Sequence, residues 1–164
     1  MSLTWSNILA TVAVCLSAIG GIWAAPKLGA IRRHFIALNL WGIPFVIGQY
    51  AQQDEWGPMW VQYHLLDLSY APWGTAALAL GLLAVASFFG KSMSSEMICA
   101  MSLGAITIAG YITEVWDTVW AWHGGASFVS AVDMGDYQAI TLGVVVAAGL
   151  HLWLQRPALM EVAS

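Results

Sequence analysis

The sequence predicts an all-α membrane protein: a compact bundle of five transmembrane helices, with the N-terminus outside and the C-terminus in the cytoplasm. Three observations carry this. The 164-residue chain is 60% hydrophobic and only 9% charged, where soluble domains carry about 25% charged residues. Its mean hydropathy is +0.73. Its basic residues fall at three places only: Lys27 with Arg32 and Arg33, then Lys91, then Arg156. The intervening gaps, at 52–63 and 121–136, hold acids and tryptophans but no Lys or Arg. Cytoplasmic loops collect Lys and Arg, so this alternation gives both the number of crossings and their direction. It places the chain in a membrane, most naturally the plasma (inner) membrane.

A hydrocarbon core of about 30 Å needs about 20 apolar residues per helix. The expected spans are 3–25, 35–51, 65–89, 93–120 and 137–155, a single domain over 1–164. In the first, the positive charges follow the apolar run, the reverse of a cleavable signal, so it is read as a retained helix closed by Pro26. The second is short and carries Pro44; the third carries Pro72. Such prolines are tolerated in lipid where a neighbour takes up the freed carbonyl. Ser94 or Ser95 caps the fourth span, with Glu96 in its first turn. Asp133 fits the N-cap of the fifth and Asp136 its first turn, both read as structural. Pro157 follows this last span.

Helix contacts are expected at four pairs of small residues: Ser17 and Gly21, Ala77 and Gly81, Ala100 and Gly104, Gly143 and Ala147. Cys15 and Cys99 are read as free, buried and apolar in behaviour. Trp5, Trp56, Trp60, Trp116, Trp120 and Trp122 map to the outer boundary, and Trp23 and Trp153 to the inner one, as an aromatic belt. The loop at 121–136, with Gly124, Gly125 and Phe128, is expected to lie along the interface as a lid. The net charge of −4 belongs to the acidic outer side and gives no reason to expect a nucleic-acid partner.

Polar stripes at helical spacing mark the chemistry. On the third span the stripe is His64, Asp67 and Tyr70; on the fourth it is Tyr111, Glu114 and Asp117. Residues three or four apart share a face, and ionisable groups within spans turn toward the bundle interior. Asp67 and Glu114 lie at matched depth, and Gln49 and Gln53 reach a similar level. The expectation is a shared polar pocket opening toward the outer leaflet, with the two carboxyls within about 10 Å.

Proton transfer on an apolar, lipid- or terpenoid-like substrate is the leading expectation. A carboxyl partly withdrawn from water can hold a proton for general acid work. Glu114 is the expected acid, with Asp67 or Asp117 as partner. Trp41, Trp73 and Trp116 are expected to line the cavity and favour positive charge through their ring faces, with Gln49, Tyr70 and Tyr111 as further substrate contacts. In this general character the chain resembles the small membrane sterol isomerases and membrane terpene cyclases, an analogy of class that transfers no residue. No cofactor is required by this reading.

Two other chemistries stand beside it. His64, Asp67, Glu114, Asp117 and His123 include donors for a divalent metal, as facing helices of bundles provide. His34 and His151 near the inner boundary, with His64 and His123 at the outer one, would suit a carrier of two b-type haems. A non-catalytic role, as an assembly subunit, an immunity or exclusion factor or a small permeation protein, needs no convergent pocket. Membrane lipids are expected partners, and a homo-oligomer or larger membrane complex is compatible with the sequence. There is no phosphate-binding glycine loop, nucleophile elbow or Cys-x-x-Cys pair.

Overall fold

The computed structural model describes residues 4–24, 26 and 32–162, without the side chains at 33, 34, 95, 129, 130 and 153–162. Lys27 therefore lies outside the described residues, as do the side chains of Arg33, His34, Trp153, Arg156 and Pro157. Among the described residues the regular secondary structure is all helix, with no strand. Helix α1 spans Trp5–Ala24, α2 Arg32–Leu40, α3 Gly42–Asp54, α4 Met59–Phe88, α5 Ser95–His123, α6 Phe128–Ala131 and α7 Met134–Val162. Three of these, α1, α4 and most of α5 (Glu96–His123), are long and apolar enough to cross a membrane.

Pro44 explains the break in the expected second span. It has no N–H to give the carbonyl of Leu40, and its ring crowds that carbonyl. The chain breaks there: Trp41 N–H donates to Leu38 O at 3.1 Å, a tight turn, and α3 starts afresh at Gly42. Pro72 acts differently and stays inside the continuous α4. The carbonyl it frees is that of Leu68, and Gly143 of α7 packs directly against that group. A side chain at 143 would occupy the same space, so only glycine permits the approach. Gly48 of α3 meets the backbone of α4 at Leu66 in the same way.

These approaches make α4 the hub, packed most extensively against α3, α5 and α7. They also fix directions. Val14 lies at Gly42, and Thr4 bonds Gln53, so α1 runs against α2 and α3. Ile106 lies at Gly74 and Tyr70 at Gly110, so α5 runs against α4. His64 and Leu68 meet Asp136 and Gly143, so α4 and α7 run together. One end of the bundle consequently gathers the start of α4 and α7 and the end of α3 and α5. That end holds Asp54, Glu55, Asp67, Glu114, Asp117, Asp133 and Asp136, while Arg32 and Lys91 lie at the other.

The apolar core sits toward the basic end, where Phe35, Leu38, Ala76, Ala79, Ile98, Cys99 and Ala147 are buried together. Seven hydroxyl groups within the helices bond their own backbone. Thr11, Ser69, Thr75, Ser102, Thr107, Thr113 and Thr141 each donate to the carbonyl four residues back at 2.7–2.9 Å, which removes a polar group from apolar surroundings without a partner helix.

Several expectations are corrected. Ser17 and Gly21 do face a neighbour, through Asn39 of α2, and Gly143 and Ala147 face α4. Gly81 and Gly104, however, have nothing within 4 Å of a would-be Cβ, so those two pairs point outward. Cys99 is buried but Cys15 is exposed, because α1 touches the bundle along one face only and presents the rest outward. The last helix does not end before Pro157 but continues to Val162; a proline removes one ladder bond and need not end the helix when the chain beyond it continues. Ser94 caps α5 as expected, accepting from Met97 N–H at 3.2 Å.

Candidate functional site: an acidic cavity at one end of the bundle

The stripe on α4 starts in its second turn, where the 3.6-residue period sets His64, Asp67 and Tyr70 on one face. That face looks toward α5 and α7. Glu114 and Asp117, one turn apart on α5, approach from the antiparallel direction at the same depth. The α5–α7 connection completes the enclosure. Gly124 and Gly125 turn the chain, with Gly125 at φ +101°, a conformation that favours glycine. The single turn α6 follows, and Phe128 sets its ring edge-on to Trp122 at 5.9 Å. Asp133 then caps α7, its Oδ1 accepting from Gly135 N–H at 2.8 Å, as its N-cap position implies.

Between these elements lies a cavity of about 540 Å³. Five carboxyl groups line it: Asp67 of α4, Glu114 and Asp117 of α5, Asp133 before α7 and Asp136 in its first turn. Gln52, Thr113 and Thr118 add neutral polar groups, and Phe45, Tyr63, Leu66 and Tyr70 form the apolar and aromatic wall. Among the described residues, no Lys or Arg lines it. Mutual repulsion among ionised carboxylates in so small a space is relieved by a bound proton or a bound cation.

The tightest part of the site was not legible as such. His64 Nδ1–H donates to Asp136 Oδ1 at 2.9 Å, and donor atoms of His64, Asp67 and Asp136 all lie within 4.8 Å of one another. Asp136, read from sequence as a helix-start acid, thus also belongs to the site. His64 itself stands behind Asp136 and not on the cavity wall. Its Nε2 edge is pressed against α7, where a Cβ on Gly135 would lie 2.8 Å from Nε2. His64 is therefore a positioning residue that ties the second turn of α4 to the first turn of α7.

The structure brings Asp67, Glu114, Asp117 and Tyr70 to one cavity, and it places other expected contacts elsewhere. Trp116 is 65% exposed and stacks on Trp120 at 6.4 Å on the outer surface of α5. Tyr111 O–H donates to Thr141 Oγ1 at 2.5 Å, whose own proton goes to Tyr137 O, and its ring stacks on Tyr137, bracing α5 on α7. Trp41 forms the α2–α3 turn, and Trp73 packs its ring on Phe45 at 4.4 Å and over Gly42; both lie below the cavity, near the Pro44 break. Gln49 Nε2 donates to Ser6 Oγ at 3.4 Å, in a polar seam between α3 and α1 that Thr4 and Gln53 extend.

For a cation, His64, Asp67 and Asp136 offer the right donor atoms, although the His64–Asp136 bond must open to free Nδ1. Haem fits less well. Axial ligation at His64 would require release of Asp136 from Nδ1 or retreat of the α7 backbone at Gly135 from Nε2, and His123 ends α5 exposed beside Trp122. His151 is partly buried on α7, and the side chain of His34 lies outside the described residues. Comparison with known proteins adds no assignment: no family model, no curated protein and no solved structure gives a significant match to the chain.

Proposed function

We propose that the protein is an integral membrane enzyme with five spans, in which α1, α2 with α3, α4, α5 and α7 each cross once. The alternating helix directions support this count, and the basic end is the cytoplasmic one by the charge rule. Six tryptophans ring the acidic end, among them Trp5 at 81% and Trp120 at 71% exposure, in keeping with an outer aromatic belt.

The observation that carries the chemistry is the convergence of five carboxyls, with no basic side chain among the described residues, on one cavity wall. Such a wall repels phosphate and carboxylate head groups, so the substrate is a neutral or cationic amphiphile. Its apolar body lies on Phe45, Leu66 and Tyr70. The reaction is proton transfer at carbon: the Glu114 carboxyl delivers its proton to a carbon–carbon double bond, the cation that forms is stabilised by the carboxylates and the rings of Tyr63 and Tyr70, and Asp67 or Asp117 removes a proton from an adjacent carbon. No redox partner is needed, and the enzyme ends with one proton moved between carboxyls. Isomerisation or cyclisation of a terpenoid-like lipid fits this balance.

The test works on a mixture of candidate substrates. Purified protein in vesicles is mixed with a total neutral-lipid extract in deuterated water, and lipids are followed by mass spectrometry. A lipid that gains deuterium with the wild type and not with Glu114→Gln supports the assignment. Incorporation that survives Glu114→Gln in full, or no change in any lipid, removes it. A second reading rests on the 4.8 Å grouping of His64, Asp67 and Asp136: the cavity holds a divalent cation. Metal analysis of wild type against Asp136→Asn separates the two.

A further inference from the structure

At the opposite end of the bundle, α1 and α2 enclose a groove of about 560 Å³, within the range of small-molecule sites. Its walls are apolar and mostly aliphatic, with Val14, Ala18 and Ile22 of α1, Phe35 and Leu40 of α2 and Ile43 of α3. The amide of Asn39 also lines it, but Asn39 Nδ2 donates to Ser17 O at 3.2 Å and its Oδ1 accepts from Ser17 Oγ at 2.6 Å, so that amide is committed to joining the two helices. The groove opens sideways, since Ile22, Leu40 and Ile43 are all more than half exposed. Arg32, exposed at the first residue of α2, stands on its rim, and among the described residues no carboxylate lines it.

We propose that this groove is a binding site for an anionic phospholipid, with one acyl chain between α1 and α2 and the phosphate on Arg32. A saturated chain needs only dispersion contacts, which aliphatic walls supply. The guanidinium matches a phosphate with two parallel hydrogen bonds. A basic residue beside a gap between membrane helices at the cytoplasmic level is where anionic head groups are recognised. The acidic cavity repels that head group and lies at the far end, so the two sites take lipids of opposite preference. The inference rests on the membrane reading of the helices but not on the chemistry assigned to the acids.

Native mass spectrometry of the full chain in a neutral detergent tests it, with dioleoylphosphatidylglycerol and dioleoylphosphatidylcholine as competing probes. The wild type retains the glycerol lipid in preference; Arg32→Gln weakens that retention about fivefold, the effect expected of one basic residue near an anionic head, and Arg32→Lys recovers part of it. Ala18→Trp fills the groove and removes retention of both lipids at unchanged melting temperature. Equal retention of the two lipids by the wild type, or undiminished retention in Arg32→Gln, overturns the proposal. A shift from dimer to monomer in Ala18→Trp, with lipid retention unchanged, identifies a second copy of the chain as the occupant and overturns it too. A chain that stays monodisperse in buffer without detergent or lipid defeats the membrane reading itself, a failure distinct from these.

Discussion

His64 on α4 and Asp136 on α7 meet at 2.9 Å, and this bond joins the second turn of α4 to the first turn of α7, two helices that run in the same direction. Parallel neighbours have no short loop between them, so their relative height must be set by side chains. Here Gly135 allows the imidazole to lie against the α7 backbone while Asp136 holds its Nδ1. Both side chains are largely shielded, at 19% and 24% exposure. Removing the histidine leaves a partly buried carboxyl without its donor, which costs about 1–3 kcal/mol. His64→Ala and Asp136→Ala are each expected to lower stability in detergent by that order. The double variant should fall short of the sum, and an additive double-mutant cycle would show that the two do not interact.

The glycines sort into two groups that a melting series should separate. A Cβ at 143 would collide with the Leu68 carbonyl, and one at 48 would lie 2.6 Å from Leu66 N. These neighbours are backbone and cannot rotate away, so Gly143→Ala and Gly48→Ala should each destabilise by about 1–3 kcal/mol. Gly81→Ala and Gly104→Ala meet nothing within 4 Å and sit inside helices, where alanine is the better residue. Those two should be neutral or slightly stabilising. If all four behaved alike, the packing of α4 on α3 and α7 would be wrong.

How much of this was legible in the sequence depends on the period of the signal. The stripes His64-Asp67-Tyr70 and Glu114-Asp117 follow from 3.6-residue spacing alone, and the structure does bring Asp67 and Glu114 to one cavity. Asp136 escaped because a first-turn acid is already explained by the exposed amides there, and nothing local says that it also reaches another helix. Trp116 misled for the opposite reason: a residue between two site acids need not share their face, and position 116 is two residues from 114, about 200° around the helix. The Pro44 break and the pairing of Gly143 with Leu68 depend on which helix lies alongside, which no single-helix pattern contains.

Asp133 offers a way to separate a cap from a site acid. Its carboxylate accepts from Gly135 N–H at 2.8 Å, a bond a serine can replace. Asp133→Ala should lose about 1 kcal/mol of stability and Asp133→Ser much less. If Asp133 only caps, lipid conversion should be equal in wild type and Asp133→Ser. A fall in conversion with stability preserved would place it among the working acids.

The orientation is tested by reporters in four loops. Those inserted after Gly29 and Gly90 should read cytoplasmic, and those at Gln53 and Gly125 external, because Lys and Arg accompany the first pair and acids the second. Position 90 is the sharpest, since it follows the long apolar α4, and Gly90 turns the chain at φ +64° just before Lys91. An external signal there would invert the bundle and place the acidic cavity inside the cell.

Accessibility of the acids gives the last prediction, and it is independent of any substrate. Both native cysteines are free and can be replaced by alanine to give a silent background. Single cysteines at 67, 114 and 136 would then line a cavity of about 540 Å³ reached from the acidic end, and a cationic, membrane-impermeant thiol reagent added from outside should label all three. A cysteine at 108, exposed on the flank of α5 six residues below Glu114, should stay unlabelled, because its surroundings are lipid. Labelling at 114 without 67 or 136 would mean that the α5 acids face water on their own and share no cavity with α4 and α7. Labelling at 108 as fast as at 114 would mean that α5 is bathed in water along its length, and the membrane reading of that helix would fail.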